Sequence, residues 1–264
     1  MLLKISHHTE YRYDSPLHYA LQRLRLVPRS GPTQSVRKWN ITVEGAEEEV
    51  VFSDQFGNDT RLVSATGEAH RIGVVATGEV ETRDTSGIFG PHAGFAPLWL
   101  FEPPTSLTEA GPGIAALAKS VGRGTELERL HALMAAIRER VAYIVGATGP
   151  ETTAEEALAQ GSGVCQDHAH VFIAAARRMG LPARYVSGYL MMDDRVEQVA
   201  SHAWAEAHVA GLGWVAFDAA NGISPDERYV RIAVGRDYRD AMPVSGIRLG
   251  MAEERLEVRI TVEQ

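Results

Sequence analysis

The stretch Gly161-Ser-Gly-Val-Cys-Gln-Asp-His-Ala-His170 contains the one cysteine of the 264-residue chain, where a glycine-rich turn runs into a predicted helix. Upstream, Thr153-Ala-Glu-Glu156 has the form of a capping box and predicts a short preceding helix. Downstream, apolar residues recur at helical spacing until Gly180 and Pro182 end the pattern. We therefore expect Cys165 in the first turn of a helix of about fifteen residues.

The position of Cys165 favours a reactive thiol. The first helical turn presents unpaired backbone N–H groups and the positive end of the helix dipole, and both stabilise a thiolate. The alternative is the common one, a cysteine that acts as a small buried apolar residue. A base and a carboxylate that follow in chain order favour the reactive interpretation.

Residues 201–218 predict a β-hairpin. Ser201-His-Ala-Trp-Ala-Glu-Ala-His-Val209 alternates strictly between small apolar residues and polar or aromatic ones. Trp214-Val-Ala-Phe-Asp218 alternates again, and Gly211-Leu-Gly213 between the two runs supplies a turn. One face of the hairpin therefore carries the polar and aromatic side chains.

The length of the turn decides whether His202 and Asp218 share that face. With a three-residue loop, Asp218 lies opposite Trp204 or Glu206 and on the face of His202, whereas an even loop without a bulge separates them. Diagonal neighbours about 7–8 Å apart at the backbone can be bridged by an imidazole and a carboxylate. The chain thus offers a thiol nucleophile, an imidazole base and a carboxylate that orients the base.

Separated blocks of the sequence resemble the bacterial transglutaminase-like superfamily of cysteine proteases. The blocks are Gly-Val-Cys-Gln-Asp-His-Ala (163–169), Gly-Leu-Pro-Ala-Arg-Tyr-Val-Ser-Gly-Tyr (180–189), Ser-His-Ala-Trp-Ala-Glu (201–206) and Gly-Trp-Val-Ala-Phe-Asp (213–218). The resemblance implies a papain-like α+β core. It also implies that Cys165, His202 and Asp218 form a catalytic triad, the same three residues that the spacing selects.

The amino-terminal part of the chain has a different pattern. Short alternating runs separated by turn residues predict an antiparallel β-sandwich, and His8-Thr-Glu-Tyr-Arg-Tyr-Asp-Ser-Pro16 and Asp54-Gln-Phe-Gly-Asn58 resemble the β-region that accompanies this core. This region either packs against the core or shapes the substrate site. We predict three parts: residues 1–105 as the β-domain, residues 106–245 as the catalytic core, and residues 246–264 as a strand that joins the amino-terminal sheet.

Several side chains are candidates for the oxyanion site or for an alternative base. The backbone N–H of Cys165 is a natural donor to a developing oxyanion, and Gln160 or Tyr143 has the chemistry to supply a second one. His168 shares the helix face of Cys165 and is a rival base, but its sequence neighbourhood offers no evident carboxylate partner.

Three other residues are candidates for supporting roles. Asp167 turns away from Cys165 on the helix, and Arg184 on the next strand is its expected partner in a structural ion pair. Tyr189 and Trp204 either line the cleft or simply pack in the core.

The composition narrows the class of protein. A formal net charge of −8 and a pI near 5.7 argue against binding to nucleic acid or to an anionic membrane surface. One cysteine permits no internal disulfide, the first residues lack a signal-peptide pattern, and no run is apolar enough for a membrane span, so we expect a cytoplasmic protein. The pairs His7-His8 and His168-x-His170 lack the ligands that would complete a zinc set, so we expect neither a metal nor a cofactor.

Together these patterns predict a cysteine acyl-transfer enzyme that acts on a peptide or protein substrate. Hydrolysis by a protease or amidase is preferred, because the sequence lacks calcium-loop spacing. Two alternatives stay open: a transglutaminase that transfers the acyl group to an amine, and a non-enzymatic peptide-binding module that keeps the fold.

Overall fold

The computed structural model describes residues 1–67, 69–193 and 195–264. Strands and helices alternate in the second half of these ranges, whereas strands dominate the first. The strands are β1 (Leu2–Tyr13), β2 (Tyr19–Val27), β3 (Gln34–Glu44), β4 (Glu47–Ser53), β5 (Asp59–Thr66), β6 (Arg71–Thr82), β7 (Ile88–Gly90), β8 (Ala142–Tyr143), β9 (Ser162–Gly163), β10 (Ala183–Leu190), β11 (Glu197–Gln198), β12 (His202–Val209), β13 (Gly213–Phe217), β14 (Tyr229–Gly235), β15 (Val244–Leu249) and β16 (Glu254–Glu263). The helices are α1 (Pro112–Ser120), α2 (Glu126–Arg140), α3 (Ala154–Gln160), α4 (Cys165–Arg178) and α5 (Tyr238–Ala241).

Two antiparallel sheets form the amino-terminal region. One has the strand order β11-β16-β1-β6-β3 and the other the order β15-β2-β5-β4. Apolar side chains of β2 and β5, such as Leu24 and Val63, pack against one end of β1 and β6, where Val74 lies. The alternation of small and large apolar residues with polar ones on these strands accounts for the sandwich, because each strand buries one face.

The core consists of a third sheet, with the order β14-β10-β12-β13-β7, and the helices that cover it. Helix α4 packs against β12, and its central residues, such as Phe172 and Ala175, are fully buried. Small residues on β12 let the helix approach: Ala203, Ala205 and Ala207 lie in the same buried cluster as α4. The predicted α+β class, with an antiparallel β-sandwich beside a helix-and-sheet core, is confirmed.

Two amide side chains join the sandwich to the free edge of the core sheet. The Asn58 side chain donates to the carbonyl oxygen of Val234 (2.8 Å) and accepts from its N–H (2.8 Å). Gln34 does the same with Arg231, at 2.8 Å for each bond. Because β14 is the edge strand, these side chains take the place of a neighbouring strand and satisfy backbone groups that would otherwise be unpaired.

The chain crosses between the two regions more often than a simple linear division suggests. β7 lies in residues 1–105 but pairs with β13 of the core sheet. β15 spans the division at residue 245 and pairs with β2 of the sandwich, and β16 pairs with β1 over ten residue positions. In the described ranges, none of the helices has the length and apolar character needed to cross a membrane.

Candidate active site

Cys165 is the first residue of α4 and is half-buried. The preceding helix α3 begins with the predicted capping box, in which Thr153 and Glu156 satisfy each other's backbone N–H groups. It ends at Gly161, whose φ of 70° is the left-handed conformation that glycine adopts at little cost. A short turn then leads directly into α4, so the thiol lies at the positive end of the helix dipole.

The Asp167 carboxylate fixes the start of α4. Its Oδ2 atom accepts hydrogen bonds from the N–H of Val164 (2.7 Å) and from Oγ1 of Thr148 (2.6 Å). A Cβ atom at Gly163 would lie 2.7 Å from Asp167, so only glycine allows the turn to pass this close. Asp167 therefore holds the backbone at the start of α4 in place and so fixes the position of Cys165.

The loop between β12 and β13 has three residues, as expected, but it comprises residues 210–212 and Gly213 is already the first residue of β13. Val209 pairs with Gly213, and the register continues to Ala205 opposite Phe217, so that Asp218 falls in line with Trp204. His202 and Asp218 share a face as diagonal neighbours, and Nε2 of His202 lies 2.7 Å from Oδ2 of Asp218. Loop parity thus brings the imidazole and the carboxylate together.

The His202 ring lies between Asp218 and Cys165. It is 5% exposed, it is hydrogen-bonded to Asp218, and Cys165 lies near enough to affect its pKa. Burial lowers the pKa of His202, but the charge and hydrogen bond of Asp218, together with the nearby Cys165, more than compensate and raise it to about 10. The Trp204 ring stacks beside the imidazole at a centroid distance of 6.3 Å and restricts its rotation.

Asp218 is held by groups that the sequence interpretation did not select. Its Oδ1 atom accepts from the N–H groups of Ala220 (3.0 Å) and Asn221 (3.2 Å), and its Oδ2 atom accepts from Nδ2 of Asn221 and from the Tyr229 hydroxyl, each at 2.7 Å. Burial alone would raise the pKa of Asp218, but His202 and these donors lower it. The Asp-Ala-Ala-Asn-Gly run at 218–222 carries a turn signal that indicates part of this network.

The two candidates for a second oxyanion donor occupy different positions. The Tyr143 side chain is half exposed; burial and the nearby Cys165 and Asp218 raise its pKa to about 12. The Gln160 amide donates instead to the carbonyl oxygen of Ala147 (3.0 Å) and to Oγ of Ser162 (3.1 Å). Tyr143 is therefore the candidate that lies near enough to Cys165 to interact with it electrostatically.

Two other candidates lie away from the thiol chemistry. Both ring nitrogens of His168 lie 2.9 Å from backbone carbonyl oxygens, those of Val164 and Val141, so the ring holds the helix start in place. The Tyr189 hydroxyl lies 2.8 Å from Nδ1 of His7, and its ring stacks on Trp39 of the sandwich. Tyr189 belongs to the interface between sandwich and core.

The expected ion pair between Asp167 and Arg184 is wrong. Nε of Arg184 lies 2.6 Å from Oε2 of Glu206, and Arg231 pairs with the other carboxylate oxygen of the same residue. Glu206 lies across from Arg184 in the register of β10 and β12, so the pairing follows from the sheet, whereas Asp167 is engaged at the start of α4. In the part of the chain that the structure describes, no group of three His, Cys, Asp or Glu residues is arranged to hold a metal ion.

Comparison with known proteins gives matches along most of the chain. The family model of the transglutaminase-like superfamily matches residues 115–219, and that of the bacterial transglutaminase-like N-terminal region matches residues 3–81. The uncharacterized protein ML0607 of Mycobacterium leprae is 30% identical over 276 residues, covering 98% of each chain. Protein Mb2599c of Mycobacterium bovis is 29% identical over 273 residues, covering 92% of this chain and 86% of its own.

A solved structure shares the fold along the whole chain. The crystal structure of a candidate cysteine protease from Cytophaga hutchinsonii aligns with a TM-score of 0.78 and 24% sequence identity, covering 100% of this chain and 92% of the other. At this identity the similarity describes the architecture, and the chemistry of the site rests on the geometry above.

Proposed function

The chain belongs to the transglutaminase-like superfamily, and on that basis we propose that it is a thiol-dependent acyl-transfer enzyme that hydrolyses peptide or carboxamide bonds. The observation that carries the proposal is the buried His202 ring between Asp218, at 2.7 Å, and Cys165. Cys165 is the proposed nucleophile, His202 the proposed base and acid, and Asp218 the group that orients His202.

The raised pKa of His202, about 10, supports a charged resting pair. An imidazolium that keeps its proton through neutral pH stabilises a thiolate beside it, and the amino end of α4 adds a favourable field. Because Nε2 of His202 is turned to Asp218, Nδ1 is the ring nitrogen left to exchange a proton with the substrate.

The proposed reaction proceeds in two halves. The Cys165 thiolate attacks the carbonyl carbon, a C–S bond forms, and the carbonyl π electrons move to the oxygen. When this intermediate collapses, the C–N bond breaks and the His202 imidazolium gives its proton to the departing amine. Neutral His202 then takes a proton from water as the water oxygen attacks the thioester, and the C–S bond breaks to regenerate the thiolate and release the acid.

Two donors are proposed for the oxyanion. The N–H of Cys165 is in the first helical turn and has no partner within the helix, so it is free to donate to the developing charge. The Tyr143 hydroxyl is the proposed second donor, since it lies near Cys165 and its raised pKa keeps it protonated. For the compartment we propose the cytoplasm, where a single cysteine stays reduced.

A peptide-library incubation read by mass spectrometry tests the proposal. The wild-type chain and Cys165→Ala are incubated with the library, each with and without an added primary amine. Hydrolysed products that require Cys165 are expected. Amine adducts in place of hydrolysis would make the chain a transglutaminase, and identical spectra from wild type and Cys165→Ala would contradict an enzyme acting through this thiol.

A further inference from the structure

Asp218 lies in a denser hydrogen-bond network than orientation of His202 alone requires. Oδ1 is held by two backbone N–H groups of the turn that follows β13, those of Ala220 and Asn221. Oδ2 accepts three bonds of equal length, 2.7 Å, from Nε2 of His202, from Nδ2 of Asn221 and from the Tyr229 hydroxyl. The backbone bonds already fix the carboxylate, so the two extra side-chain donors act mainly on Oδ2.

The Tyr229 hydroxyl is the donor that comes from a different strand. It belongs to β14, at the edge of the core sheet, and its ring is packed at 5.4 Å against Trp204, which stacks on His202. A hydroxyl 2.7 Å from an ionised carboxylate oxygen donates its proton to that oxygen and draws away part of its negative charge. The charge left to stabilise a protonated His202 is correspondingly smaller.

We propose, on the basis of the function proposed above, that Tyr229 is a positioning residue. Its hydroxyl holds Oδ2 of Asp218 in line with His202 and shares its charge, so that His202 releases its proton to the leaving group more readily than Asp218 alone would permit. Asn221 contributes in the same direction through its amide.

The surroundings of Tyr229 and His202 are compatible with this role. Burial, followed by the charge of Asp218, raises the pKa of Tyr229 far above its ordinary value, so the hydroxyl stays a donor. Asp226 and Arg228 also face Tyr229, but they form an ion pair with each other at 2.7 Å. His202 itself faces Asp218 and Cys165.

The test uses the single cysteine of the chain, because thiol alkylation then occurs at Cys165 alone and is read on its peptide by mass spectrometry, apart from any alkylation of amines. The rate of carboxamidomethylation by iodoacetamide is measured from pH 5 to pH 11 in wild type and in Tyr229→Phe. A thiolate–imidazolium pair gives a plateau with a second inflection where His202 loses its proton. In Tyr229→Phe this inflection is expected to move upward by about half a pH unit or more, and the imidazole nitrogen shifts of His202 in NMR should follow it.

Tyr189→Phe is the matched control. It also removes one buried tyrosine hydroxyl. That hydroxyl lies on the adjacent strand β10, and its partner, at 2.8 Å, is His7. This variant should lose stability without moving the inflection. Asn221→Ala supplies an independent variant that removes the other side-chain donor, and it should move the inflection in the same direction as Tyr229→Phe.

The outcomes separate the two proposals. A wild-type plateau with no upward shift in Tyr229→Phe and Asn221→Ala, or with a downward shift, overturns the role of Tyr229 and leaves the proposed function standing. A wild-type rate that rises with pH as an ordinary thiol, without a plateau, contradicts the activated pair and overturns both.

Discussion

Two buried carboxylates, Glu206 and Asp218, lie on the same face of one hairpin and are 2% and 1% exposed. Glu206 is enclosed by the guanidinium groups of Arg184 and Arg231, and the Arg184 group also lies 3.9 Å from the centre of the Trp214 ring. Asp218 has one partner that can gain or lose a proton, His202, and neutral donors on its other side.

The difference between these carboxylates is in their partners, since their burial is the same. The charges of Arg184 and Arg231, and their hydrogen bonds, lower the pKa of Glu206 against the opposing effect of burial, so this ion cluster stays ionised. An imidazole partner makes the other cluster titratable, and the half-buried Cys165 at its side connects it to the surface. We therefore expect Glu206 to serve stability and Asp218 to serve chemistry.

The largest expected effect is that of Asp218→Asn on activity. The amide can hold the wrong imidazole tautomer, so turnover of a substrate found in the library should fall about 10⁴-fold with the fold retained. Steady-state kinetics measures the turnover, and circular dichroism measures whether the fold is retained. Asp226→Asn, a nearby carboxylate paired with Arg228, is the control and should change turnover only slightly. If Asp218→Asn keeps most of its activity, another residue orients His202.

Glu206→Gln should mainly affect stability. Removing this charge leaves two buried guanidinium groups without a counter-ion, so the free energy of unfolding should fall by about 3–5 kcal/mol. Urea denaturation measures the loss, and the alkylation rate of the folded fraction should keep its pH profile. Glu81→Gln, which breaks an exposed pair with Arg37, should cost less than about 1 kcal/mol. A changed pH profile in Glu206→Gln would show that the two clusters are coupled.

Tyr143→Phe tests which side chain donates to the oxyanion on the solvent side of the thiol. If its hydroxyl donates to the oxyanion, kcat should fall about 10²- to 10³-fold while the unfolding free energy barely changes, because the side chain is half exposed. Gln160→Ala is the companion variant, since its amide bonds to Ala147 and Ser162, and its kcat should stay near wild type. The reverse ranking of the two variants would assign the donor to Gln160.

The last prediction concerns the pH limits of stability. The pKa of His202 is raised in the folded state to about 10 from 6.5, so its stabilisation is complete below pH 6.5 and is lost as the pH rises towards 10. The pKa of Glu206 is lowered from 4.5, so its stabilisation is present above pH 4.5 and is lost as the pH falls. Urea midpoints measured against pH should lose the alkaline decline in Asp218→Asn and keep it in Glu206→Gln.

Much of the site could be predicted because its signals are local. The capping box at Thr153 and the glycine at 161 predicted where one helix ends and the next begins, and both lie as expected. The alternation of β12 and β13 and the three residues of their loop predicted the face shared by His202 and Asp218. Caps and strand periodicity depend on residues a few positions apart, so a sequence displays them directly.

The partners of charged residues were harder to predict. Arg184 was assigned to Asp167 and pairs instead with Glu206, while Arg231 and Tyr229 were not selected at all. Both Arg231 and Tyr229 lie on β14, which pairs with β10 in an order that differs from the order of the chain. The residue spacing around a charged side chain does not indicate a partner that comes from another strand.

The sequence by itself determined the helix that begins at Cys165, the parity of the hairpin and the resemblance to the superfamily, because these depend on neighbouring residues. Only the tertiary structure decided that the Tyr229 hydroxyl donates to Asp218, that two arginines pair with Glu206, and that Tyr143 lies near Cys165 while the Gln160 amide bonds elsewhere. The physical reason is that hydrogen bonds and ion pairs in a buried site depend on distance and direction in space, and strand order and packing set both.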